Sequence, residues 1–273
     1  VEKIGKALGS YALIKKQKKI CVGYDGRLSS PNLSNGLITG LLSTGIDVVN
    51  IGLVTTPMLY FSAHFLETHT GVMITGSHNP PEYNGLKMMV DGTTLSSDEI
   101  QLLYQMILDK NFHNGKGDLY YQDIKNDYLN KIKESIHLKR SMEISIDCGN
   151  GAAGVCAEEL FLSLGVKVNS LFCNVDGNFP NHHPDPSNPK NLIDLQQNVK
   201  DTNSELGLAF DGDGDRLGVV TESGEIIYPD RQLLLFAEDV LDKNPGASII
   251  FDVKSTRHLF KWIKDKGGIP IIW

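Results

Sequence analysis

Asp211-Gly-Asp-Gly-Asp-Arg216 sets three carboxylates at alternate positions, separated by glycines and followed at once by a guanidinium. Three such charges repel one another unless they fold around a hard cation. Oxygen ligands on a tightly turning, glycine-rich backbone suit Mg²⁺ or Ca²⁺. A second stretch, Gly71-Val-Met-Ile-Thr-Gly-Ser-His-Asn-Pro-Pro81, runs from an apolar segment into a turn that presents one hydroxyl, Ser77. Val72, Met73 and Ile74 read as a strand covered on both faces, and Gly76, Asn79, Pro80 and Pro81 stop it. The acidic stretch is placed in the same way, between the apolar runs Leu206–Phe210 and Leu217–Val220. In open α/β sheets, ligands bind outside the carboxyl ends of the strands.

Other chemistries fit these residues less well. Asp211, Asp213, Asp215 and Glu222 occupy the first, third, fifth and twelfth positions of an EF-hand loop. The sixth position, which demands glycine, holds Arg216, and both flanks read as strands. His182-His183 with Asp185 invites zinc, but the surrounding prolines describe a rigid connecting loop whose polar groups bond to backbone. A serine-hydrolase reading lacks the Gly-x-Ser-x-Gly elbow and an acid partner. Ser77 also suits a plain loop serine that caps the next segment.

The elements that must position these groups alternate. Strands are expected at Ile20–Tyr24, Ile46–Ile51 and Gly71–Thr75. Between them lie helices from Ser30-Pro31, with Ser30 as the cap, to Gly45, and from Pro57 to Leu66; another follows at Ser97–Leu108. The polar stretch Lys110–Asp118 approaches a boundary. A second unit repeats the rhythm: helix Asp123–Ile136, strand Met142–Asp147, helix Cys156–Leu164, strand Val166–Phe172, a helix capped by Asn188-Pro189, strand Leu206–Phe210, and a hairpin turn at Thr221–Glu225. Helix Pro229–Leu241, strand Ser248–Val253, helix Thr256–Lys266 and strand Ile269–Trp273 make a third. The expected fold is α/β: successive three-layer α/β/α domains with mainly parallel, mixed sheets, divided as residues 1–122, 123–225 and a partial third unit over 226–273.

Composition bounds the partners. The 273 residues are 41% hydrophobic and 22% charged, with a formal net charge of −7. That balance argues against a nucleic-acid surface, and the basic run Lys15–Lys19 reads as a solvated helix end. No stretch is apolar enough to predict a membrane span, and no signal-peptide pattern is visible at the N-terminus. Cys21, Cys148, Cys156 and Cys173 lie in or beside apolar runs without close pairing, which predicts buried free thiols and a cytoplasmic address.

Thr75-Gly-Ser-His-Asn-Pro80, Asn84-Gly-Leu-Lys87 and Asp211-Gly-Asp-Gly-Asp-Arg216 together resemble the α-D-phosphohexomutases, most closely the bacterial phosphomannomutase/phosphoglucomutase branch. Gly23-Tyr-Asp-Gly-Arg27, Asp147-Cys-Gly-Asn-Gly151, Asp176–Asp185 and Asp252-Val-Lys254 extend the likeness over nearly the whole chain. The resemblance implies four domains around a cleft, of which this chain holds the first two and part of the third. It implies an enzyme that interconverts hexose 6-phosphates and 1-phosphates of mannose or glucose through a hexose 1,6-bisphosphate.

Ser77 would be the phosphoserine, with Mg²⁺ held by Asp211, Asp213, Asp215 and Ser77. Arg216 would meet the phosphoryl oxygens or form a structural ion pair. Lys87, in preference to His78, would exchange the hydroxyl proton, provided its pKa is shifted toward neutrality. Arg27, at the end of the first strand, would reach the same pocket, and Lys254 would contact substrate. The expected partner is a small phosphosugar, with the chain acting as a monomer. Phosphoglucosamine mutase, which usually has alanine where this chain has Gly76, is the nearest alternative. A non-catalytic sugar-phosphate or divalent-metal binding fragment is a further one. Residues that choose the sugar in this family lie beyond Trp273.

Overall fold

The computed structural model describes all residues from Val1 to Trp273. The first unit comprises α1 (Glu2–Ile14), β1 (Lys19–Tyr24), α2 (Ser30–Leu42), β2 (Asp47–Leu53), α3 (Thr56–Phe65), β3 (Gly71–Thr75), β4 (Gly85–Val90), β5 (Thr93–Thr94), α4 (Ser97–Leu108) and β6 (Leu119–Tyr121). Its sheet runs β5-β4-β3-β1-β2-β6, parallel except for β3-β4 and β4-β5. The apolar runs are continuous because both faces are covered. Ile20, Val22, Val72 and Ile74 enter a 17-residue core beneath α1, α2 and α4, while Cys21 and Met73 point into a second core under α3.

Several features lie outside the sequence expectation. Helix α1 packs through Ala7, Leu8, Tyr11 and Ala12, a spacing that gathers one helical face. Strand β4 is masked in sequence because Lys87 interrupts its apolar residues. Ser30 is not a cap: its hydroxyl donates to Asp25 Oδ1 at 2.6 Å, and the helix is entered from Ser29 without a side-chain cap bond.

The second unit comprises α5 (Lys125–Ser135), β7 (Glu143–Asp147), a 3₁₀ turn at Ala152–Val155, α6 (Ala157–Ser163), β8 (Lys167–Leu171), a 3₁₀ turn at Pro189–Leu192, α7 (Ile193–Thr202), β9 (Leu206–Phe210), β10 (Leu217–Thr221) and β11 (Ile226–Ile227). Its sheet order is β11-β10-β9-β7-β8. Strands β9 and β10 pair antiparallel from Leu217 opposite Phe210, so the acidic stretch is the loop of a hairpin.

Packing crosses the expected boundaries. Ile124 and Leu129 bury against Met58, Cys21 and Met73 in a cluster that also takes in Cys156, so α5 lies between the cores of the first and second units. Strand β11 pairs with β10, which carries the second sheet past Glu225 to Ile227. The third unit has α8 (Pro229–Lys243), β12 (Ser248–Phe251), α9 (His258–Asp265) and β13 (Ile269–Ile272), with two parallel strands over a six-residue core. No helix is long and apolar enough to cross a membrane.

Candidate active site

Ser77 sits in the connection between β3 and β4 with φ of 49°, a left-handed backbone that few non-glycine residues adopt outside constrained sites. Several bonds hold it there. The Ser77 N–H donates to Thr75 Oγ1 at 2.7 Å, and the Gly76 N–H donates to Asp25 Oδ2 at 3.1 Å. Arg27 then binds the loop from below. Its Nε donates to Asp25 Oδ2 (3.1 Å), Nη1 to the carbonyls of Pro80 (2.5 Å) and Tyr83 (3.1 Å), and Nη2 to those of Ser77 (2.8 Å) and Asn79 (2.7 Å). All five N–H donors of the guanidinium are thereby used. Arg27 is only 1% exposed, as is Asp25. The sequence predicts Arg27 in the Ser77 pocket as a substrate contact; the structure places its side chain under the Ser77 turn, with its donors spent on Asp25 and the loop carbonyls.

The acidic loop meets this turn from the second unit. A Cβ on Gly212 would stand 2.3 Å from the Ser77 carbonyl oxygen, so glycine is what permits the approach. Asp211 Oδ2 accepts from Ser77 Oγ at 3.0 Å, while its Oδ1 accepts the backbone N–H groups of Asp215 (3.0 Å) and Arg216 (3.1 Å). Asp213 Oδ2 accepts from Thr56 Oγ1 at 2.6 Å and from Lys87 Nζ at 2.6 Å, and Lys87 also donates to Asp215 at 2.5 Å. One ligand oxygen from each aspartate falls within 4.8 Å of the others. Asp213 Oδ1 is buried without any partner. An orphaned carboxylate oxygen inside a converging triad fits a hard cation, and these three residues could hold one.

The titration behaviour follows from the crowding. Burial, then the charges of Asp213 and Asp215, push Asp211 up to about 7. Burial also opposes charge on Asp213, but hydrogen bonds from Lys87 and Thr56 outweigh it and hold that carboxyl below its ordinary value. For Lys87, burial favours the neutral amine, yet the bonds to Asp213 and Asp215 prevail and its pKa is raised. The shift toward neutrality expected of a general base is therefore reversed, because Lys87 serves as counter-ion to two carboxylates.

The remaining expected residues separate. His78 Nδ1 is 3.4 Å from Ser77 Oγ, and its carbonyl accepts from His183 Nε2. Arg216 is half-exposed at the rim, its Nε 3.9 Å from Asp211 Oδ2. Lys254, 85% exposed, pairs with Asp252 at 3.3 Å and borders an open concavity of about 530 Å³ with Tyr228, Asp230 and Arg231 in the third unit. His182 and His183 do not converge on a metal: His182 Nε2 meets Asp147 Oδ2 at 2.9 Å, and Asp185 caps Ser187. Thr56 and Asp25 escaped the sequence reading. Each stands just past a strand end, which is the signal that could have found it.

Comparison with known proteins places these loops in a family. Residues 1–114 match phosphoglucomutase/phosphomannomutase α/β/α domain I, and residues 119–224 match domain II. The chain is 52% identical over 270 residues to the phosphomannomutase/phosphoglucomutase of Pseudomonas aeruginosa, covering 99% of this chain and 58% of that protein. It is 55% identical over 271 residues to the phosphoglucomutase of Neisseria meningitidis serogroup B, covering 98% and 59%. A crystal structure of a phosphoglucomutase/phosphomannomutase family protein from Burkholderia thailandensis superposes with a TM-score of 0.96 at 48% identity, covering all of this chain and 61% of the other. The chain thus spans less than two thirds of the length of these relatives.

Proposed function

The chain belongs to the phosphoglucomutase/phosphomannomutase family, and from that premise we propose that it interconverts hexose 6-phosphates and hexose 1-phosphates of mannose or glucose, using Ser77 as a phosphoserine and a hexose 1,6-bisphosphate as intermediate. The observation that carries this reading is the approach of the Ser77 hydroxyl to within 3.0 Å of Asp211, at the edge of a carboxylate triad with an unpartnered buried oxygen. Asp211, Asp213 and Asp215, with Ser77, would hold Mg²⁺. When bound, that ion supplies Lewis-acid neutralisation of phosphoryl oxygens.

The protein's own groups do the rest. Arg27 and Asp25 fix the turn, so that the Ser77 oxygen is presented without further reorganisation. Arg216, half-exposed beside the triad, can place its guanidinium on phosphoryl oxygens in a bidentate pair. Lys87, cationic between Asp213 and Asp215, is suited to return a proton to the serine oxygen as the phosphoryl group departs; to accept one it must first leave those carboxylates. His78 is the titratable nitrogen nearest the hydroxyl and orders the loop through its carbonyl.

Gly76 favours the mannose/glucose branch over phosphoglucosamine mutase, since the packing of Arg27 leaves no room for the alanine usual there. The proposed substrate is a small phosphosugar and not nucleic acid, in keeping with the net charge of −7. Four unpaired thiols support a cytoplasmic setting. A monomer suffices, because one chain supplies both Ser77 and Asp211. A coupled assay with glucose 1-phosphate or mannose 1-phosphate tests the reading. Turnover should vanish in Ser77→Ala with the circular dichroism unchanged; turnover retained in that variant would contradict it.

A further inference from the structure

Cys148 and Cys173 take no part in the chemistry above. Their sulfurs lie 3.3 Å apart. Cys148 directly follows β7, and its N–H donates to the Leu171 carbonyl at 3.1 Å; the Asn150 N–H donates to Phe172 at 2.8 Å. The parallel ladder of β7 and β8 thus continues past the strands and holds the two thiol-bearing segments side by side. Cys148 is fully buried and Cys173 half-buried, so only the latter is open to a dissolved oxidant. Cys21 and Cys156 are buried, with no sulfur partner.

We propose that Cys148 and Cys173 form a site of reversible two-electron oxidation that closes to a disulfide under a hydroperoxide. The Cys173 thiolate attacks one peroxide oxygen, the O–O bond breaks, and the released hydroxide takes up the thiol proton as water, leaving a sulfenic acid. The Cys148 sulfur then attacks the Cys173 sulfur. The S–S bond forms, the S–O bond breaks, and a second water leaves with the Cys148 proton. Two thiols and one hydrogen peroxide give one disulfide and two waters, with the two electrons passing from sulfur to oxygen.

The geometry allows this order. Cys173 is the accessible member, and the shared hydrogen bond favours its thiolate while disfavouring that of Cys148. Bonding requires the sulfurs to close from 3.3 Å to about 2.05 Å, a change of side-chain scale for segments whose backbones are already registered. The crosslink would lie behind the acidic loop, since Ala152 in the same turn donates to the Gly212 carbonyl at 2.9 Å. Disulfides of this kind in reducing compartments are typically transient and redox-sensing.

The test is to expose the native chain to hydrogen peroxide, alkylate it under denaturing conditions, and map the peptides by mass spectrometry without reduction. The expected result is loss of two alkylatable thiols and a linked peptide pair containing Cys148 and Cys173. Dithiothreitol should restore both thiols, and the crosslink should be absent in Cys173→Ser, a half-buried position. Four alkylatable thiols after treatment would overturn the proposal. So would a crosslink between other cysteines, or Cys173 carried to sulfinic acid while Cys148 stays fully alkylatable. None of these outcomes depends on mutase activity.

Discussion

A Cβ placed on Gly76 would stand 2.3 Å from the guanidinium carbon of Arg27. The turn that presents Ser77 is therefore built around one buried arginine. Gly76→Ala forces that side chain aside and should destabilise the chain by about 1 to 3 kcal/mol through overpacking. Arg27→Met leaves the buried Asp25 carboxylate without its cation and four carbonyls without their donors, and should cost about 3 to 5 kcal/mol. Arg27→Lys should rescue little of this, because an ammonium cannot reproduce the five-donor fork. Urea unfolding midpoints would check all three. A midpoint for Arg27→Met equal to the parent's would contradict the assigned role.

Lys87 neutralises two of the three aspartates that would otherwise receive a cation. Lys87→Met should therefore bind Mg²⁺ several-fold more tightly than the parent, while its metal-free form melts at a lower temperature. Calorimetric titration and melting curves with and without Mg²⁺ would show both effects. Weaker Mg²⁺ binding in the variant would mean that Lys87 does not compete for the carboxylates.

Asp211 should make the metal response depend on pH. Its folded pKa, about 7, lies above the ordinary aspartate value of 3.8. The stability it contributes is thus complete below about pH 4 and is lost as pH rises through 7. Mg²⁺ requires the ionised form, so the rise in melting temperature it produces should grow between pH 5.5 and pH 8 on this account. In Asp211→Asn that growth should flatten. An equal Mg²⁺ response at both pH values in the parent would contradict the assignment.

His182 should contribute in a different window. Burial opposes its charge, but the hydrogen bond and charge of Asp147 raise its pKa above the ordinary 6.5. A raised histidine gives stability that is fully present below 6.5 and is lost as pH climbs through the folded value. His182→Gln should lower the urea midpoint more at pH 6 than at pH 8.5. The reverse order would exclude an imidazolium paired with Asp147.

The sequence made Ser77 and the three aspartates legible because each follows an apolar run that local pattern reveals, and the alternation of elements gave the α/β class. The bonds of Arg27 are not legible in sequence, for a physical reason. Its role depends on carbonyls from Ser77 to Tyr83, and nothing local marks a carbonyl as a partner. Thr56 and Asp213 are 157 residues apart, and only the docking of two sheets brings them together. Strand β4 is not legible because Lys87, which bonds to Asp213 and Asp215, breaks the apolar pattern of the strand that carries it.

Whether Ser77 carries the phosphoryl group is decided most directly by intact-mass measurement after incubation with glucose 1,6-bisphosphate and Mg²⁺. The account predicts a single phosphate adduct that maps to Ser77, is absent in Ser77→Ala and is much reduced in Asp213→Asn. An unmodified parent chain, or an adduct that persists in Ser77→Ala, would contradict it.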